Sequence, residues 1–240
     1  MIVIPMAGQS QRFKKIGFNK PKWTIKIGNQ TMFELALQSI APLRQTNEKI
    51  ILIVLETDRF DLLEIISRIQ DENIQIITLN HSTSGQAETV LLGLKQIKIN
   101  EIERLVVWCS DSVINDLSSK FKTIVSNHIV LAKMPGDQWS FAKVSGKKVI
   151  KTTEKKRISP LASIGLYFFQ SINEYLDLDI VNSFEQGESY IAPLYNQLIE
   201  KNKSVTFTEI SENIYFSLGT PQELLQNAKI LNLELDSRLL

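Results

Sequence analysis

Four short runs rich in Val, Ile and Leu, at residues 2–6, 49–55, 73–79 and 104–109, alternate through the first half of the chain with segments whose apolar residues recur every three or four positions. Strands that are apolar on both faces need cover on both faces, and the intervening segments at 31–40, 58–69 and 85–97 have the helical period that supplies it. Thr31 and Asp58 stand where helix N-caps are expected. The pattern specifies a doubly wound α/β fold with a mostly parallel mixed sheet. Beyond residue 128 the rhythm shortens. Candidate strands at 129–133, 140–144, 148–152 and 163–169 follow closely, two of them joined by the turn "VSGKK", which indicates a small antiparallel extension. Helices at 190–201 and 221–231 flank strands at 204–208 and 215–218. No Gly/Ser-rich linker separates the halves, so the expectation is one domain, 1–240, with a nucleotide-type half at 1–127 and an appended half at 128–240.

Charge narrows the possible partners. With 27 Lys plus Arg against 26 Asp plus Glu, the chain has no global field to attract nucleic acid or an anionic membrane, so any anion site is built locally. No leader-like start and no apolar stretch of membrane-spanning length is evident, and a cytoplasmic protein is expected. A single cysteine, Cys109, excludes an internal disulfide and a thiolate metal cluster, and it reads as a small buried apolar residue. Two histidines, His81 and His128, leave little for imidazole chemistry.

The loop leaving the first strand lies where an open parallel sheet places ligands, beyond the carboxyl ends of its strands. Here the sequence is "IPMAGQSQRFKKIGFNKPKW". Gly8 allows close backbone approach to a phosphate, the next amides can donate to it, and Arg12 and Lys22 add charge, with Pro21 restricting the backbone beside Lys22. A solvated basic loop is the plainer alternative, and the spacing is not that of a Walker loop. At the end of the fourth run, "RLVVWCSDSVIND" places Asp111 at the same rim, as a ligand for Mg2+ or as a simple turn or cap residue. Asp116 is expected to cap the next helix. In "STSGQAETVLLGL", Gly85, Gln86 and Ala87 can line a base, or Thr83 or Ser84 can cap the helix with Glu88 completing the box. Glu154 and Lys155 in "TTEKKRIS" can meet hydroxyls and a phosphate, or belong with Lys156 and Arg157 to a solvated charge run.

Ala7-Gly8, Arg12 and Pro21-Lys22, in that order after an apolar strand, resemble the sugar-phosphate nucleotidyltransferases, the nucleoside triphosphate:sugar-1-phosphate pyrophosphorylase type. Trp23, Trp139 and Ser140 make the likeness nearest to the branch found in capsule and lipopolysaccharide gene clusters. The resemblance implies a Rossmann-like nucleotidyltransferase fold and transfer of a nucleoside monophosphate to a phosphorylated sugar, with release of pyrophosphate. It implies that Ala7, Gly8, Gln9 and Ser10 hold the triphosphate, with Gly85, Gln86 and Ala87 beside the base. Arg12 would steady the pyrophosphate, Lys22 would neutralise the phosphates, and Asp111 would bind the catalytic Mg2+. For the acceptor it implies Ala142, Glu154, Lys155, Gly165 and Tyr167, with Lys155 on the phosphate. Two departures stand out. Ser10 replaces the usual second glycine, and in "YFSLGTPQEL" Ser217 replaces the second metal-binding aspartate of a W-x-D-x-G-T motif, with Asp137 or Glu212 as stand-ins. Gly219, Thr220 and Pro221 keep that motif's strand-to-helix corner. A metal-dependent nucleotide-sugar glycosyltransferase and a non-catalytic nucleotide-binding relative are the alternative functions. Base, acceptor and a possible homo-oligomer are left open.

Overall fold

Ile2–Pro5, wholly buried, forms β1, third from one edge of a nine-stranded mixed sheet in a computed structural model that describes residues 1–98, 102–180, 184–185 and 187–235. The remaining elements of the first half are α1 (Gln11–Lys14), β2 (Lys26–Ile27), β3 (Gln30–Thr31), α2 (Met32–Ser39), β4 (Ile50–Leu55), α3 (Arg59–Ile69), β5 (Ile74–Leu79), α4 (Gln86–Leu94), β6 (Leu105–Val107) and β7 (Ser112–Ile114). The second half adds β8 (His128–Lys133), β9 (Ser140–Ser145), β10 (Lys148–Glu154), β11 (Leu161–Phe169), α5 (Ile172–Leu176), β12 (Phe184–Glu185), β13 (Glu188–Ser189), α6 (Leu194–Glu200), β14 (Thr206–Glu209), β15 (Tyr215–Ser217) and α7 (Pro221–Ile230). The assigned halves also take in residues 99–101, 181–183, 186 and 236–240, which lie outside the described residues.

The sheet order is β5-β4-β1-β6-β11-β8-β14-β10-β9. Pairing is parallel from β5 to β6 and again between β14 and β8, and antiparallel elsewhere in the sheet. β9 also pairs back onto β11 through Phe141 and Ala162, so the far end of the sheet curls on itself. The antiparallel share is therefore larger than the sequence suggests: the long β11, inserted between β6 and β8, turns the second half into hairpins.

Alternate residues of the central strands enter separate cores. Val3, Ile51 and Ile53 pack with Val90 and Leu94 of α4, whereas Ile2, Ile4, Ile50 and Leu52 pack with Phe33 and Leu37 of α2 and Leu62 and Ile65 of α3. Each such side chain stabilises the fold by roughly 1.5–3 kcal/mol when fully buried. Helices thus cover both faces, as continuous apolar strands require.

Local signals account for several boundaries. Thr31 caps α2 in a full capping box: its hydroxyl accepts from the Glu34 N–H, and Glu34 accepts from the Thr31 N–H. Asp58 is at the N-cap position of α3 without capping it; the Thr57 hydroxyl donates to its carboxylate instead. Asp116 also fails as a cap, because it occupies a turn at φ 59°, and Ser118 accepts from the Lys120 N–H of the following one-turn helix. The elements outside the sequence expectation are the short α1, β2, β3, α5, β12 and β13, and β7, which pairs with β15.

At the amino ends of the parallel strands, the Met1 ammonium and Arg104 share the Glu48 carboxylate, all three nearly excluded from solvent. Arg104 also donates to the carbonyls of Leu43, Lys122 and Ile124. Burial alone would raise the Glu48 carboxyl, but the Arg104 hydrogen bonds, the Gln45 N–H and the Met1 charge together hold it below the usual value.

Candidate active site

β1 and β6 are parallel neighbours, so the loops that follow them open on the same rim. The first loop is anchored from below: Phe13 and Phe18 pack with Ile25, Val113, Phe216 and Leu224 in a third apolar cluster. Gly8, Gln9 and Arg12 are left exposed, and Gly8 has open space on its side-chain face. Ala7 is buried in the core, so only its backbone can serve a ligand. Ser10 adopts the left-handed conformation at φ 54°, ψ 31°, which glycine takes without cost and serine resists. Its hydroxyl accepts from the Lys22 N–H at 2.9 Å, a bond that glycine cannot make and that joins the two ends of the loop.

The Lys22 ammonium reaches Asp111, 89 residues away in sequence, and forms a half-buried ion pair with it. Asp111 is fixed between strands: β7 begins at the next residue, Ser112 pairs with Ser217, and the Leu218 N–H donates to the Asp111 carbonyl at 2.7 Å. Beyond it lies Gly219. A Cβ there would stand 2.8 Å from Asp111 Oδ2 and 3.8 Å from Glu223 Oε2, so both carboxylates face the same small space. Glu223 is in the first turn of α7, with its N–H on the Thr220 hydroxyl at 3.1 Å. It is the carboxylate that the sequence reading missed, although an acid one turn beyond a Gly-Thr-Pro corner could have pointed to it. The expected stand-ins lie elsewhere: Asp137 pairs with Arg157 at 2.9 Å, and Glu212 is exposed in a one-turn helix after β14.

Cys109 connects this pair to Gln86 and Gly165. It takes a hydrogen bond from Gln86 Nε2 at 3.3 Å and lies against Gly165, where a Cβ would meet its sulfur at 2.6 Å. Burial first, and then the Asp111 charge, push the thiol up to about 12, so it stays neutral. Gly165 has φ 84° in the irregular stretch of β11 between Ser163 and Tyr167, which makes glycine a requirement there. Gly85 is required for another reason: the Ser189 backbone fills its side-chain position, and the Ser189 carbonyl oxygen would clash with any added methyl group, so packing rather than room for a flat ring accounts for it. Glu88 accepts from the Ser84 N–H and hydroxyl, but the N-cap of α4 is Gly85, which has no side chain, so the expected capping box does not form. Ala87 is buried in the core.

Among the residues expected to bind the acceptor, Glu154 is buried and accepts from the Ser140 hydroxyl. Tyr167 is buried with its hydroxyl bonded toward Ser163 and Ser140; burial, then the neighbouring Cys109, raise it far above the usual phenol value. Ala142 lies two residues beyond Ser140 in β9, buried, with its carbonyl taken by Ser159. Lys155, at φ 50°, donates its N–H to the Trp139 carbonyl and its ammonium to the Tyr190 hydroxyl at 2.5 Å. The Tyr190 hydroxyl in turn donates to Glu188. Burial and this bond raise the phenol, while the charge of Arg12 pulls it down. Arg157 turns away to Asp137 and the Phe141 ring, so the charge run divides between the cleft and the surface. Trp139 packs edge-on against Tyr215 and donates to the Pro135 carbonyl.

Lys22, Asp111, Gln86, Gly165, Glu154 and Lys155 are thereby linked through shared neighbours, with the Arg12 charge felt at Tyr190. Three cations there can neutralise anions, and carboxylates stand beside them to bind a cation or accept from hydroxyls.

A family model described as nucleotidyl transferase matches residues 2–232. A solved structure of the nucleoside-diphosphate-sugar pyrophosphorylase from Vibrio cholerae RC9 superposes with a TM-score of 0.86 at 32% identity, covering 95% of this chain and 100% of that one. A putative glucose-1-phosphate thymidylyltransferase from Bacillus anthracis (TM-score 0.75, 17% identity, 99% and 98% covered) shares the fold. So does the inositol-1-phosphate CTP transferase from T. maritima (TM-score 0.75, 13% identity, 96% and 94% covered). No curated protein sequence matches. Among the described residues, no helix is long and apolar enough to cross a membrane.

Proposed function

The chain belongs to the nucleotidyl transferase family, and on that premise we propose that it joins a nucleoside triphosphate to a sugar 1-phosphate, releasing pyrophosphate and yielding a nucleoside diphosphate sugar. The likeness to the Vibrio cholerae pyrophosphorylase along the whole of both chains supports this reaction class. The observation that carries it is the Lys22–Asp111 pair, which brings the first loop and the end of β6 to one point at the sheet rim.

An acceptor phosphate oxygen attacks the α-phosphorus, the bond to the β-phosphate oxygen breaks, and pyrophosphate departs with the electron pair. Two anions must approach, so the chain's task is positioning and charge neutralisation. The backbone at Gly8 and its neighbours cradles the triphosphate, Arg12 meets the departing pyrophosphate, and Lys22 neutralises phosphate oxygens near the α-phosphorus. Lys155 holds the acceptor phosphate, and Glu154 accepts from sugar hydroxyls, over a floor formed by Gly165 and Tyr167. An ionised phosphate needs no general base, consistent with a Cys109 thiol and a Tyr167 phenol that both remain protonated at neutral pH.

The residues fit a divalent cation: Asp111 and Glu223 offer hard oxygen donors on one face of Gly219. Mg2+ held there would screen the phosphates and polarise the reacting centre. Asp111 is then the principal ligand, and Glu223 makes up for the carboxylate that Ser217 lacks.

The product feeds surface polysaccharide synthesis, a step suggested by Pro21-Lys22-Trp23 and Trp139-Ser140, and the work is done in the cytoplasm. Each of four nucleoside triphosphates is combined with a panel of sugar 1-phosphates and Mg2+, and pyrophosphate is measured. Release that depends on both substrates is expected. Nucleoside diphosphate formed from a nucleotide sugar would instead favour a glycosyltransferase, and tight triphosphate binding with no pyrophosphate from any pair would favour a non-catalytic relative.

A further inference from the structure

Lys155 is held by a neighbour that the reaction scheme does not use. Its ammonium donates to the Tyr190 hydroxyl at 2.5 Å and lies 4.9 Å from the centre of the same ring. The Tyr190 hydroxyl passes its own proton toward Glu188 Oε2, so the relay runs from ammonium to phenol to carboxylate with every donor assigned. The segment that carries this relay is itself fastened. Between Glu188 and Tyr190, Ser189 is fully buried; its N–H donates to the Ser84 carbonyl at 3.0 Å, and its hydroxyl accepts from the Glu88 N–H at 3.2 Å. The Ser189 backbone also occupies the side-chain space of Gly85. The amino end of α4, on the nucleotide side, therefore fixes the residue that grips the lysine on the acceptor side.

We propose that Tyr190, anchored by Glu188, is a positioning residue that holds the Lys155 ammonium at the phosphate of the acceptor. The proposal rests on the function proposed above. A lysine has four rotatable side-chain bonds, and ordering it at the moment of binding costs side-chain entropy. One hydrogen bond to the phenol spends a single ammonium proton and leaves two to meet phosphate oxygens. The high phenol pKa, set by burial and the bond to Glu188, keeps the polarity of the relay constant through the neutral range.

Tyr190→Phe keeps the ring and removes the hydroxyl. With the sugar 1-phosphate that gives the fastest wild-type pyrophosphate release, it is expected to raise the acceptor KM about tenfold, the worth of one hydrogen bond to a charged group, with the triphosphate KM unchanged. Lys155→Ala raises the acceptor KM further, and adding Tyr190→Phe to it has no additional effect. An unchanged acceptor KM in Tyr190→Phe, an equal rise in the triphosphate KM, or full additivity with Lys155→Ala would overturn the proposal. If the wild-type protein releases no pyrophosphate with any pair, the proposed function fails, and the positioning is read directly. The 15N-detected ammonium signal of Lys155, assigned by its loss in Lys155→Ala, is then expected in the wild type and lost by rapid exchange in Tyr190→Phe. The same signal in both proteins would contradict the relay.

Discussion

Gly165 shows how closely single residues shape this cleft. Its φ of 84° excludes most side chains, and a Cβ would lie 2.6 Å from the Cys109 sulfur. Gly165→Ala is expected to cost about 2–4 kcal/mol through strain and clash, read as a lower urea midpoint. Adding Cys109→Ala should return the part due to the clash and leave the part due to the backbone. Sequence alone could single out Lys22, Asp111 and Lys155, because each lies within a short motif beside a strand end. Glu223 and Tyr190 were not legible. Glu223 reads as an ordinary first-turn acid until Gly219 is seen against Asp111, and Tyr190 matters only through Lys155, 35 residues earlier. Ser10 reads as a weakened glycine, yet its hydroxyl holds the Lys22 N–H.

At the level of elements, the parallel strands end in two kinds of edge. The carboxyl ends carry the cleft, while the amino ends of β1, β4 and β6 are tied by Glu48, Arg104 and Met1. Glu48→Ala leaves two buried cations without their counter-ion and should destabilise the fold by about 3–5 kcal/mol. Pyrophosphate release measured well below the melting temperature should be unchanged, because the altered edge is the one away from the cleft. A comparable fall in both would mean that the two edges are not independent. β1, β4 and β6 were readable because their residues are apolar on both faces, and the edge strand β5 from its Ile and Leu residues, although Gln75 and Thr78 interrupt them. β7 was not, since so short a strand gives no period and its partner β15 lies near the far end of the chain. The larger antiparallel share was hidden for a related reason: the sequence shows where β11 lies along the chain but not that it inserts beside β6.

Across the whole molecule, near-neutral charge leaves stability to buried groups. His128 is packed against Phe121 and Phe168 with Nδ1 on the Thr206 hydroxyl, and burial lowers its pKa from 6.5 to about 4. A depressed folded-state value means that the unfolded chain takes up the proton first. Stability is therefore full above about pH 6.5 and falls as pH drops towards 4. Glu48, also depressed, adds a further loss below its ordinary value of 4.5. Urea midpoints followed from pH 7 to 4 should decline in the wild type and decline less in His128→Gln; identical slopes would remove His128 from the explanation. The most direct test of the cleft as a charge-neutralising site is pyrophosphate release from the best triphosphate and sugar 1-phosphate pair, measured side by side for wild type, Lys22→Ala and Asp111→Ala, with folding checked by circular dichroism. Each variant is expected to stay folded and to lose at least about a hundredfold in turnover, since each loss removes several kcal/mol of transition-state stabilisation. Wild-type turnover in both would contradict it.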